Sequence, residues 1–187
     1  MRGRFLAVIL LVTTICVLAP RRASAGAFEF SFGFSFNHSN YSDGNFSWNR
    51  RWMSGLGYYF TERSQIEFAI QDIVDRNRIV KYEDTTFHDQ VFSVNWVQEI
   101  IGKSFPVQPY FKVGIGQLNR DASGKYSDGY VPPLHVDAVT GIIGAGVRVN
   151  LTRTFGIRTD ATSYLSKGSI RSWKDNVSFT LGLSIYF

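Results

Sequence analysis

Val177-Ser-Phe-Thr-Leu-Gly-Leu-Ser-Ile-Tyr-Phe187 places an apolar side chain on every second position: Val177, Phe179, Leu181, Leu183, Ile185 and Phe187. Ser178, Thr180, Gly182, Ser184 and Tyr186 fill the positions between them. A period of two marks a strand with two unlike faces. The solvent face of a soluble sheet usually carries Lys, Glu and Arg. Here that face is small and uncharged, and the other is wholly apolar. Lipid outside and a narrow lumen inside account for both faces together.

Upstream the same grammar repeats. Phe28, Phe30, Phe32, Phe34 and Phe36 share one face of Gly26 to Asn37, with Glu29, Ser31, Gly33, Ser35 and Asn37 on the other. Such a row of Phe exposed to water would aggregate. Further strands are expected over 51–60, 65–74, 87–100, 109–119, 136–150 and 154–165, and the last runs from Lys174 to the end. Polar, turn-rich stretches at 38–49, 75–84, 120–134 and 166–173 read as long loops. Short turns fall at 61–64, 102–107 and 151–153. Long and short connections thus alternate, as in a meander whose short turns all lie at one end. The expected fold is all-β: an eight-stranded antiparallel up-and-down transmembrane β-barrel.

Arg2 and Arg4, an apolar run from Phe5 to Ala19 and Ala23-Ser24-Ala25 read as a secretory signal peptide cleaved after Ala25. Residues 26–187 then form one outer-membrane barrel domain. Four of the 20 Lys and Arg lie in the leader, leaving 16 bases against 15 acids, a net charge of +1. The basic character of the whole chain is therefore a targeting feature, and nucleic acid is excluded as a partner. Cys16, the only cysteine, leaves with the leader, so neither a disulfide nor a thiol site is expected. No cofactor is expected, and no metal site either, because His88 and His135 sit at loop edges without ligand-like spacing.

Gly57-Tyr-Tyr-Phe-Thr-Glu62, Pro109-Tyr-Phe-Lys-Val-Gly-Ile-Gly116 and Gly144-Ala-Gly-Val-Arg-Val-Asn-Leu-Thr-Arg-Thr-Phe-Gly-Ile-Arg-Thr-Asp160, with the terminal Phe, carry a family resemblance. They resemble the outer-membrane β-barrel superfamily of outer-membrane proteins A, X and W. The resemblance implies residence in the bacterial outer membrane, in contact with its lipid and lipopolysaccharide. It also implies that Phe187 is read by the barrel-assembly machinery. A monomer is expected.

Glu29, Glu67, Glu99, Lys112, Arg148, Arg158 and Asp160 fall on the inward phase of their strands. A barrel of eight strands is only wide enough for side chains to fill it, and buried charges must pair. A structural plug is the expected reading, with a small ion or solute channel as the rival. His38-Ser39-Asn40 resembles, imperfectly, the His-x-Ser-Asn segment of the lipid A deacylases. Here His and Ser are adjacent and would face opposite sides of a strand, so a polar turn is expected instead of a hydrolase. Ten further cations, Arg50, Arg51, Arg76, Arg78, Lys81, Arg120, Lys125, Lys167, Arg171 and Lys174, sit near the long connections. With Tyr41, Trp48, Tyr126, Tyr130 and Trp173 they could grip lipopolysaccharide phosphates or a surface partner. A non-enzymatic, structural or surface-interaction protein is the expected function.

Overall fold

The computed structural model describes residues 28–42, 44–81, 83–101, 105–126, 129–165 and 177–187. The leader and the connection at 166–173 lie outside them. The strands are β1 (Phe28–Ser42), β2 (Asn45–Tyr59), β3 (Ser64–Ile79), β4 (Glu83–Glu99), β5 (Val107–Tyr126), β6 (Gly129–Asn150), β7 (Phe155–Leu165) and β8 (Val177–Tyr186). They close in sequence order into one antiparallel barrel, with β8 returning to β1. Closure gives each strand a hydrogen-bonded neighbour on both sides, as a lipid setting demands of any strand protein.

The barrel is inside out. Phe30, Phe32, Phe34 and Phe36 are 40–59% exposed on its outside, whereas Arg148, Arg158, Glu29, Glu67 and Glu99 are at most 1% exposed within it. Water would reverse this distribution, because burying apolar area is the main favourable term of folding there. The alternation alone puts each residue on its side, since a one-residue slip would turn every charge to the outside.

At the short-turn end, two reverse turns use threonine in the same way. Thr61 Oγ1 accepts from the Ser64 amide at 2.9 Å, and Thr152 Oγ1 accepts from the Phe155 amide at 3.0 Å. Each hydroxyl replaces a backbone acceptor that the reversal of the chain has removed. At this end the barrel also closes. Phe28 and Phe187 exchange backbone hydrogen bonds at 3.0 and 3.1 Å, and their rings stack with centroids 6.0 Å apart. Deleting Phe187 is expected to cost about 1–3 kcal/mol through these bonds and the ring contact. Slower refolding into vesicles, read by gel mobility, checks it; refolding at the full-length rate would refute it.

The opposite end departs from the sequence reading. Three stretches expected as loops, 38–49, 75–84 and 120–134, are mostly strand: β1 and β2 pair to Ser42 and Asn45, and β3 and β4 to Ile79 and Glu83. β5 and β6 pair to Tyr126 and Gly129, with one irregularity between Ala122 and Gly124. The cause is physical. Apolar alternation records contact with lipid, but the hydrogen-bonded ladder needs no lipid and continues as polar hairpins past the apolar band. The β1–β2 turn bends at Gly44 (φ 80°). The amide of Val80, at the tip of the next hairpin, donates to Asn45 Oδ1 at 2.6 Å, so the two tips are joined.

Candidate functional site: the lumen

Every one of the eight strands sends a side chain into one buried network. Its members are Glu29, Tyr59, Gln65, Glu67, Glu99, Tyr110, Lys112, Arg148, Arg158, Asp160 and Ser184, none more than 7% exposed. Two arginines organise it. From β6, Arg148 donates through Nη1 to Glu99 Oε1 at 2.7 Å and to the Tyr59 hydroxyl at 2.8 Å. Its Nη2 reaches Glu29 Oε2 at 2.8 Å and Gln65 Oε1 at 2.9 Å. From β7, Arg158 donates through Nε to Asp160 Oδ2 at 2.7 Å and through Nη1 to Glu67 Oε2. Both guanidinium groups approach the Tyr110 ring, Arg148 at 4.7 Å and Arg158 at 5.2 Å from its centroid.

The carboxylates are equally well held. Glu29 accepts from Ser184 Oγ at 2.6 Å and Gln65 Nε2 at 2.8 Å. Asp160 accepts from the Tyr110 hydroxyl at 2.6 Å and Lys112 Nζ at 3.0 Å. Four carboxylates thus meet three cations, and the neutral donors Tyr59, Tyr110, Gln65 and Ser184 carry the remainder. The seven ionisable residues on the inward phase meet in this one layer. Tyr59, Tyr110, Gln65 and Ser184 share the phase but not the charge, so a search for ionisable groups passes over them.

Space for the large side chains comes from glycines facing the same lumen. The Gln65 side chain lies against Gly57, and the Tyr110 hydroxyl against Gly146, where any Cβ would collide. Small positions beside large ones let a narrow barrel fill without voids.

Farther along the lumen apolar and polar side chains are mixed. Met53, Ile73, Val91 and Ile142 are buried on the inward phase; the buried Gln71 stands in register between Met53 and Val91, and Ile73 stands in register with Arg51 and Asp89. The same stretch of the lumen holds a second set of charged groups. There Arg120 holds Asp89 by two bonds of 2.7 and 2.6 Å, and Arg51 is in electrostatic reach of Asp75, Asp89 and Tyr164. Arg51 and Arg120, read from sequence as loop cations, are therefore lumenal. Carrying the alternation of Met53 and Leu118 one step further would have placed them. The cause of the miss is the same polar extension of the strands.

Outside the apolar band, His38 and Ser39 lie on β1, not in a loop, and fall on opposite faces. His38 stacks on Phe46 with centroids 6.1 Å apart. On the protruding hairpin of β5 and β6, His135 Nδ1 lies 2.7 Å from Asp121, with Asp137 at 3.4 Å from Nε2. The hydrogen bond to Asp121, and then the charges of Asp137 and Asp121, raise the His135 pKa above the ordinary histidine value. A raised folded value means this contribution is full below the unfolded pKa and fades as pH rises through the folded one. Asp121→Asn is expected to bring the His135 titration, followed by NMR, back toward the ordinary value; an unmoved midpoint would refute the pairing.

No protein-family model matches the chain, and no curated protein does. Solved structures share its fold. The N-terminal β-barrel domain of Pseudomonas aeruginosa OprF has a TM-score of 0.57 at 13% identity, over 88% of this chain and 100% of that one. Ail, the attachment invasion locus protein of Yersinia pestis, in complex with the heparin analogue sucrose octasulfate, gives 0.54 at 18%, over 88% and 100%. Neisserial surface protein A gives 0.52 at 16%, over 88% and 100%. At these identities the likeness is one of fold. The chain has the closed eight-stranded barrel of small outer-membrane proteins, the fold expected from the terminal strand and its repeats.

Proposed function

We propose that the chain is an integral outer-membrane protein with a closed lumen, which acts through its outer surface and protruding hairpins rather than by conduction or catalysis. The carrying observation is the filled interior: a buried layer in which every charged side chain is ion-paired, with Met53, Ile73, Val91 and Ile142 also buried farther along the lumen. An ion crossing it would have to displace Arg148 from two carboxylates. The short turns and the β1–β8 seam face the periplasm in this reading, and the long hairpins face outward. The exposed apolar band fits the hydrocarbon region, and the fold neighbours come from bacterial outer membranes.

Refolded into planar bilayers, a barrel of the mature sequence is expected to give no discrete conductance steps while running as a heat-modifiable band on gels. Steps that change size in Arg148→Ala or Glu67→Ala would overturn the closed reading in favour of a small channel.

A further inference from the structure

The outer face of β2 and β3 carries three chemistries in order along the strands. First comes an apolar groove of about 730 Å³, walled by Leu56, Tyr58, Phe68, Ile70 and Phe92 over the small Ser54. Above it the outward positions pair as Trp52 with Asp72, Arg50 with Val74, Trp48 with Arg76 and Phe46 with Arg78. Every second residue faces the same way, so all of these lie on one surface. The guanidinium groups of Arg76 and Arg78 converge on the Phe46 ring, 5.7 and 6.0 Å from its centroid.

Charge is unbalanced there. Arg76 is paired with Asp84 through bonds of 3.1 and 3.0 Å. Arg50 and Arg78 are exposed and have no ion pair among the described residues. Asp72, the carboxylate nearest the groove, is held by His88 at 2.6 Å. Asp84 stands in register with Arg78 and its charge acts on both guanidinium groups, but two cations brought to one ring repel each other and a single carboxylate leaves one positive charge uncompensated. Guanidinium forks match phosphate oxygens two at a time. Trp48 and Trp52 offer flat faces at the height where aromatic side chains meet lipid headgroups.

We infer that this face is a binding site for a phosphorylated, acylated glycolipid of the outer leaflet. Arg50, Arg76 and Arg78 hold its phosphates, Trp48 and Trp52 its sugar rings, and the groove an acyl chain. A lipid is favoured over a free polyanion because the cations continue directly into the groove. Arg50 stands four residues from Ser54, about 13 Å along an extended strand, well within one lipid headgroup and the start of its chain. The inference rests on the outer-membrane reading.

The test uses the refolded mature barrel in zwitterionic detergent, titrated with bisphosphorylated lipid A and followed by tryptophan fluorescence. The variant combines Arg50→Gln, Arg76→Gln and Arg78→Gln, and its heat-modifiable mobility reports that it folds. Three lost cations are expected to weaken binding about a hundredfold, at roughly fivefold for each basic residue near an anionic lipid surface. Arg63→Gln, in the turn at the other end, is expected to leave binding unchanged. Phosphatase-treated lipid A is expected to bind the wild type as weakly as intact lipid A binds the triple variant. Equal binding by wild type and triple variant, or by both forms of the lipid, overturns the site. Sucrose octasulfate binding as tightly as lipid A also overturns it, in favour of a polyanion surface without an acyl role. A silent, heat-modifiable barrel that ignores lipid A refutes this inference alone, whereas conductance steps refute the closed-barrel reading and leave the lipid titration to stand by itself.

Discussion

Arg158→Ala is expected to destabilise the folded barrel by about 3–5 kcal/mol, the range for removing one partner of a buried ion pair. The truncation leaves Glu67 and Asp160 without their shared cation, and both are buried at 1% and 4% exposure. It also takes a donor from the Tyr110 hydroxyl at 3.0 Å and one of the two cations approaching that ring. Lys112, 3.0 Å from Asp160, can hold one carboxylate but is already engaged there. Urea unfolding in lipid vesicles, followed by tryptophan fluorescence, measures the loss. Arg158→Met combined with Glu67→Met, which removes charge on both sides, is expected to recover much of it. A single-variant loss below about 1 kcal/mol, the value of an exposed pair, would mean that water reaches this layer and the plug is open.

Gly146→Val carries the other large effect, through space instead of charge. A Cβ at 146 would collide with the Thr159 carbonyl oxygen and the Tyr110 hydroxyl, and the first of these is backbone and cannot swing away. The cost of forcing a side chain into filled space is about 1–3 kcal/mol. Displacing Tyr110 from Asp160 adds about 1–3 kcal/mol for a buried acceptor left short of a donor. Gly33 supplies the control. It also faces the lumen, but a Cβ there meets its neighbours at 3.6 and 3.7 Å, which is ordinary contact. Gly33→Ala is therefore expected to refold with wild-type mobility and a urea midpoint near wild type, while Gly146→Val refolds poorly. Similar midpoints for the two would show that inward glycines are exchangeable and that the packing argument fails.

The two variants also divide what can be read from the chain. Phe28 to Asn37 and Val177 to Phe187 disclose their faces by alternation, so barrel, strand order and inward phase are legible without coordinates. So is the membership of Glu29, Glu67, Glu99, Lys112, Arg148, Arg158 and Asp160 in the lumen. Partner choice was not legible. Ser184 meets Glu29 across 155 residues, and Arg158 meets Glu67 across 91. Those meetings depend on the shear of the closed barrel, which alternation does not encode. Strand length beyond the apolar band was hidden for a related reason. Arg76, Arg78 and Trp48 show no two-faced pattern, because water on both sides of a hairpin imposes none.

By itself, the sequence determined which side of the wall each residue of the apolar band occupies, since a period of two has only two outcomes and lipid permits one. Only the tertiary structure decided the heights. Closing eight tilted strands set Arg148 level with Glu29 and Glu99, and brought Arg76 and Arg78 to one phenylalanine ring over a greasy groove. Height in a barrel is a property of register summed around the whole ring, and no local stretch of chain contains it.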